Sequence, residues 1–375
     1  VGPLKGLRVI EIEGLGPAPF CGMLLADMGA EVISITRKSS DASRAERISE
    51  RGKKSVALNL KSTEGVETLL SLCDTADVLI EGFRPGVAER LGFGPEVCSA
   101  RNPKLVYGRM TGWGQTGPLA SAAGHDINYI ALSGALHGMG RKGEKPVPPL
   151  NLVGDFGGGS MFLVMGILAA IYEAKNSGQG QVVDVSMVEG AANLMHLMYT
   201  FLAEGTWQDE RGVNLLDGAA HFYDTYETAD GKYVSIGPIE PQFYALFLDL
   251  VGLDQDTFGN QNDSASWEKK SELLTEVFKQ RSRDEWCELL EGTDVCFAPV
   301  LSMLEAPLHP HNVERKTFLE LEGVLQPAPA PRFSRTPSAV PKAPRAAGSD
   351  SEQVLRDSGY SEEKIAELRE LGVLV

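Results

Sequence analysis

The sequence is poor in cysteine and in positive charge, and it lacks a long uninterrupted apolar run. Its five cysteines (Cys21, Cys73, Cys98, Cys287 and Cys296) are odd in number and form no C-x-x-C pair. That excludes a zinc ribbon or a disulfide framework and fits buried thiols in a reducing compartment. Lys and Arg number 35 against 51 Asp and Glu, a net charge of −16, which argues against nucleic acid as a partner. A local basic pocket for a phosphorylated small molecule remains compatible with it. No apolar run approaches the roughly 20 residues of a bilayer span. The longest, around 161–172, reads as a buried helix, so no membrane partner is expected. There is no charged-then-apolar leader, and the closing Gly-Val-Leu-Val is not a Ser-Lys-Leu address, so the expected location is cytoplasmic. Also missing are an H-E-x-x-H pair, a serine nucleophile elbow and a Walker lysine, and Gly-Gly-Gly at 157–159 has no Lys-Ser or Lys-Thr after it.

What is present first is a βα alternation. Strands are predicted at 7–13, 31–36, 55–60, 77–81 and 105–110, with helices at 19–28 and 64–73 between them. Short apolar strands separated by amphipathic helices predict a largely parallel sheet covered on both faces, an α/β class. Such sheets bind ligands beyond the carboxyl ends of their strands. Two long helices are expected at 156–175 and 187–203, with a short extended piece at 181–184. Residues 222–312 read as a smaller α+β domain that opens with a hairpin turning at Asp230-Gly231. Residues 326–349, rich in Pro, Ala, Ser and Arg, predict an extended arm, and 351–371 a charged amphipathic helix pair.

Two glycine patterns bear on a dinucleotide role. Gly112-Trp-Gly-Gln-Thr-Gly117 matches G-x-G-x-x-G, but Pro118 stands where the phosphate-binding helix should be running, so it reads as a tight loop. Gly14-Leu-Gly16-Pro-Ala-Pro lies between strand and helix yet lacks the third glycine, and the next strand ends at Arg37. An arginine there suits a phosphorylated ribose, such as the adenosine 3′-phosphate of coenzyme A. Lys53, Lys54, Lys61, Arg84 and Arg90, assigned to successive strand ends, point to a shared anion site.

Three segments set one ionisable side chain each among glycines, aromatics and amides: Ala-Gly-His-Asp-Ile-Asn-Tyr at 123–129, Asn-Leu-Val-Gly-Asp-Phe-Gly-Gly-Gly at 151–159 and Ile-Glu-Pro-Gln-Phe-Tyr at 239–244. His125 is expected at a helix start, a setting that favours neutral imidazole. Asp155 has the pattern of an N-cap with exposed amides, able to hold an enolate oxygen while the carboxyl moves a proton. Glu240 precedes Pro241 and a helix. A histidine and two carboxylates suffice for proton abstraction with return from the opposite side.

These segments, with Asp-Val-Leu-Ile-Glu-Gly-Phe-Arg-Pro-Gly at 77–86 and Pro-Leu-Asn-Leu-Val-Gly-Asp at 149–155, resemble the family III CoA-transferase superfamily, and within it the branch that racemises acyl-CoA thioesters, over essentially the full length. The resemblance implies a Rossmann-like large domain at 1–186 and 330–375, a linker at 187–221, a small α+β domain at 222–312 and a return linker at 313–329. It implies an interlocked homodimer whose active sites are shared between the large domain of one subunit and the small domain of the other. The implied activity interconverts (R)- and (S)-2-methylacyl-CoA thioesters by 1,1-proton transfer through an enolate. The alternative on the same scaffold is a CoA-transferase with Asp155 as covalent acyl carrier. The implied catalytic residues are His125, Asp155 and Glu240, the last supporting the histidine. The implied coenzyme A contacts are Arg37, Leu58, Asn59, Leu60, Lys61, Gly82, Phe83, Arg84, Arg90, Gly124, Asp126, Ile127, Asn128 and Tyr129. No metal or separate cofactor is expected, because coenzyme A arrives as part of the substrate. Where the family commonly reads Asp-Gly-Gly-Ala-Pro, this chain has Asp217-Gly-Ala-Ala-His221, and His221 is expected at the surface or in the linker.

Overall fold

Six strands pair in parallel: β1 (Arg8–Ile12), β2 (Glu31–Thr36), β3 (Lys54–Ala57), β4 (Val78–Glu81), β5 (Val106–Thr111) and β6 (Val182–Ser186). Their order is β3-β2-β1-β4-β5-β6 in this computed structural model, which describes residues 2–37 and 47–374. Successive side chains of a strand point to opposite faces. Ile10, Ile33, Leu79 and Tyr107 accordingly enter one core, and Val9, Val32, Val78 and Val106 the other. A run such as Arg8-Val-Ile-Glu-Ile therefore has to be covered on both sides, which parallel crossovers achieve.

Helices Thr63–Cys73 and Pro95–Arg101 supply the first cover, together with the C-terminal helices Ser351–Asp357 and Glu362–Glu370. The charged tail is thus a core element: Leu355, Ile365 and Leu368 are buried, each contributing about 1.5–3 kcal/mol. The amide of Asn59 donates to Val373 O at 2.9 Å, fastening the chain end to the residues after β3. Helices Pro17–Asp27 and Met161–Ser177 form the second cover, and Gly108 of β5 lets Leu163 and Ile167 reach the sheet.

The helix that ends at Ser177 begins earlier than predicted, at Leu152, and runs for 26 residues. By length and composition it is apolar enough to cross a membrane, against the expectation that no run approaches that length. The glycines and alanines that interrupt the apolar run in sequence do not interrupt the helix. Its inner residues pack on β5 and β6, with Gly166 fitted against Val183, while Met161, Met165 and Tyr172 on its outer side are exposed.

Two compact units result, one of residues 1–133, 150–194 and 316–375, the other of 134–149 and 195–315. Helix Met187–Leu194, assigned to a linker by resemblance, packs within the first unit. A hairpin of Phe318–Leu321 and Val324–Pro327 also belongs to that unit. In the second unit, Asp224–Glu227 (β7) and Tyr233–Ile236 (β8) form the expected hairpin. A third antiparallel strand, Phe297–Val300 (β9), pairs with β8. Pro299 and the absence of alternation hide it in the sequence. Helices Pro241–Val251, Trp267–Phe278 and Arg283–Leu290 complete the aromatic-rich core around Phe222, Phe247, Phe278 and Trp286.

Candidate active site

The strand order reverses between β1 and β4, and two cavities open there at the carboxyl ends of the strands, where ligands of doubly wound sheets bind. The larger, about 790 Å³, is bounded by the loop after β1 (Gly16, Pro17), the turn after β4 (Gly82, Phe83, Arg84) and the segment after β5 (Gly112, Trp113). His125, Asn128, Tyr129 and Asp155 also line it. The smaller, about 340 Å³, is lined by Arg37, Leu58, Asn59, Leu60 and Lys61. Phe83 lines both.

His125 is the N-cap of helix Asp126–Leu132, and its amide donates to Asn128 Oδ1 at 3.0 Å. The next residue, Asp126, turns inward and is buried. Gly112 and Gly124 are required here because a Cβ at either would strike the Tyr129 ring, at 2.1 and 2.8 Å. That ring packs edge-on against Trp113, and its hydroxyl donates to Gly124 O.

Asp155 does not cap a helix, contrary to the sequence expectation. It lies inside a π-helical turn, Leu152–Ser160, whose N-cap is Asn151. The three glycines that follow serve packing: a Cβ at Gly158 would stand 2.6 Å from Ala191 N, and one at Gly190 only 1.8 Å from Gly158 O. The Asp155 amide is also not free for an enolate oxygen, since it donates to Asp126 Oδ2 at 2.7 Å. The Asp155 carboxyl accepts from Asn151 Nδ2 at 3.1 Å and faces Gly16, whose φ of 71° and missing side chain leave it open. Partial burial pushes its proton affinity up and Asp126 adds to this, while the Asn151 hydrogen bond and His125 oppose it.

The basic residues divide by strand end. Lys53 and Lys54 stand at the amino end of β3, on the wrong side for the anion site expected of them. Lys53 is buried against Glu11 at 2.7 Å, and Lys54 pairs with Glu31 at 2.5 Å. Arg37, Lys61 and Arg84 stand at carboxyl ends and line the cavities. Arg90 is exposed on helix Val87–Leu91, beside Gly86, and Ile127 is exposed on its helix; the described linings include neither of them, nor Asp126.

Glu81 is a functional candidate that sequence reasoning missed. Fully buried at the end of β4, it accepts the Phe83 amide at 2.6 Å and Arg109 Nε at 2.9 Å, so it fixes the turn that lines both cavities. Arg109 also holds Glu89 at 2.8 Å, fastening the helix that carries Arg90. The signal was present as a charge inside an otherwise apolar strand.

Glu240 belongs to the second unit, where it is the N-cap of helix Pro241–Val251. Its loop is pinned by buried Gln261, whose Nε2 donates to Pro238 O at 2.7 Å and Ile239 O at 2.9 Å. His221 is neither surface nor linker in character. It is fully buried, with Nε2 2.7 Å from the Tyr244 hydroxyl, and burial, followed by Lys270, pushes it down to about 3. It is a neutral core residue, flanked by Phe222 and Phe258.

A Rossmann-ordered sheet whose switch point holds a histidine, a half-buried aspartate and a basic groove defines the class. The chain belongs to CoA-transferase family III, whose profile matches residues 4–351. Within the family it is similar to the alpha-methylacyl-CoA racemase of Mus musculus, at 49% identity over 97% of this chain and 96% of that protein. It is 44% identical to the alpha-methylacyl-CoA racemase of Homo sapiens, over 97% and 96%. A CaiB/BaiF family protein from Brucella suis shares the fold, with a TM-score of 0.83 at 24% identity over 95% of this chain and 99% of that one.

Proposed function

We propose that this chain interconverts (R)- and (S)-2-methylacyl-CoA thioesters by 1,1-proton transfer through an enolate, with His125 and Asp155 as the two proton carriers. The observation that carries the reading is that these two side chains face one cavity at the switch point, with the Asp155 carboxyl pushed up by burial. The α-proton of a thioester is weakly acidic, so its removal needs a positioned base, and inversion needs a donor on the opposite face. A carboxyl of raised proton affinity beside an imidazole suits that exchange, since each turnover protonates one carrier and deprotonates the other. Similarity to the mouse and human racemases along nearly the whole chain supports the same activity.

Coenzyme A enters as part of the substrate. The basic groove of Arg37 and Lys61 suits its adenosine 3′-phosphate, and the turn through Phe83 connects that groove to the reacting carbon. Glu240 orients His125 from the small domain of a second copy in an interlocked homodimer. In support, helix Met161–Ser177 leaves Met161, Met165 and Tyr172 exposed on the first unit, an apolar face suited to a partner chain. Mixing His125→Ala chains with Glu240→Ala chains during co-expression should return part of the activity lost in either alone. No complementation would refute the shared site.

The deciding test is incubation of a single 2-methylacyl-CoA epimer in deuterated water. Epimerisation with α-deuterium incorporation is expected. Acyl transfer to a carboxylate acceptor without α-exchange would instead assign Asp155 the role of covalent acyl carrier, as a transferase requires.

A further inference from the structure

The buried Asp126 carboxylate touches Asp155 without lining the cavity. Its Oδ2 accepts the Asp155 amide at 2.7 Å, and its Oδ1 is buried with no hydrogen-bond partner among the described residues. Gly154 makes the approach possible: a Cβ there would lie 2.6 Å from Oδ2. A buried carboxylate with one amide donor and no cation is an expensive arrangement for a structural strut, which a neutral side chain would fill at lower cost.

We propose that Asp126 is a positioning residue for Asp155, fixing its main chain through the amide and placing a fixed negative charge behind its carboxyl. The inference rests on Asp155 being a proton carrier in the racemisation proposed above. The groups facing Asp155 leave this role to Asp126. Arg84, in the lining of the same cavity, is a cation and cannot supply a like charge; His125, at the start of the same helix, opposes it, and Asn151 offers a neutral amide. The Tyr129 hydroxyl is engaged with Gly124 O. The loop after β1 presents the backbone of Gly16, and helix Met187–Leu194 meets the turn through Met187, Gly190 and Ala191. A carrier that takes up and releases a proton within one turnover benefits from a like charge beside it, which favours its protonated form.

Asp126→Asn keeps an oxygen for the Asp155 amide and removes only the charge. The expected result is a folded protein, by circular dichroism, whose acidic limb in the pH profile of α-deuterium exchange moves to lower pH. Asp126→Ala loses the acceptor as well, and exchange should fall about tenfold or more at every pH. An unshifted acidic limb in folded Asp126→Asn overturns the proposal.

A second measurement does not depend on either variant folding. In wild-type protein carrying 13C-aspartate, the carboxyl resonance lost in Asp155→Asn should titrate above the ordinary carboxylate range. Titration in the ordinary range overturns the proposal. Wild-type protein that exchanges no α-proton would instead refute the racemase reading, whatever the carboxyl titration shows.

Discussion

The first unit buries carboxylates in two settings. Away from the cavity, both Glu11 oxygens accept from the Lys53 ammonium at 2.7 and 2.8 Å, and Asp27 receives Arg51 in a bidentate pair at 3.1 and 2.6 Å. At the cavity, Asp126 and Asp155 hold no lysine or arginine among the described residues, and each accepts from one amide, Asp155 N–H and Asn151 Nδ2 respectively. Burial pushes the Asp27 proton affinity up with Arg51 opposing it, whereas at Asp155 the same push meets the Asn151 amide and His125 but no lysine or arginine among the described residues. Glu11 and Asp27 are thus held by full countercharges outside the cavity lining, and Asp155, the proton carrier proposed above, faces the cavity without one among the described residues.

The comparison breaks most sharply at the cavity. His125→Ala and Asp155→Asn should each lower the rate of epimer inversion by about 10²–10⁴-fold, the usual worth of a positioned acid or base. Retention of more than a tenth of the rate would remove that residue from the mechanism. Next in size is Lys53→Met, which strands the Glu11 carboxylate without its ammonium. It should cost about 3–5 kcal/mol in urea unfolding, whereas Glu11→Leu combined with Lys53→Met should recover part of that loss, Glu50 still losing its 3.7 Å contact with the ammonium. Equal losses from the single and the double variant would show that this pair does not act as a compensated unit.

A smaller contrast separates the two ends of the strands. Lys61→Ala should raise KM for an acyl-CoA about tenfold, the loss of one charge-assisted contact, and leave kcat unchanged. Lys54→Ala, at the opposite end of β3, should leave both constants alone. The smallest effect concerns stability. The folded protein holds the Asp155 proton more tightly than the unfolded chain, so its contribution is full below the ordinary carboxyl pKa and is lost as pH rises through the raised value. Asp155→Asn, which cannot ionise, should therefore raise Tm by about 1–3 °C at neutral pH and by nothing in acid, despite its loss of activity. Calorimetry at both pH values checks the sign.

The sheet was legible because its strands alternate between two cores, as Val9 and Ile10 do, and because apolar runs punctuated by glycine repeat along the chain. β6, half exposed, was legible only as a short extended piece at 181–184, and β9, which carries a proline, was not legible. At the site, His125 was legible as a helix cap. Asp155 was misread as one because a π-turn has no local signature that separates it from an α-helix start, and only the Gly158–Gly190 contact shows why the glycines are there. Lys53 and Lys54 were misassigned for a simpler reason: they precede the strand predicted at 55–60, and were grouped with residues that follow strands without regard to which end of the sheet they reach. Asp126 sits beside His125 in sequence, yet its contact with the Asp155 amide spans 29 positions and has no trace in the pattern.

The central claim is that two carriers stand on opposite faces of one carbon. It is tested most directly by measuring α-deuterium exchange separately on each pure epimer with His125→Ala and with Asp155→Asn. Each variant should exchange one epimer and not the other, the two choices should be complementary, and neither variant should invert its substrate. Exchange of both epimers, or of the same epimer, by both variants would contradict the account.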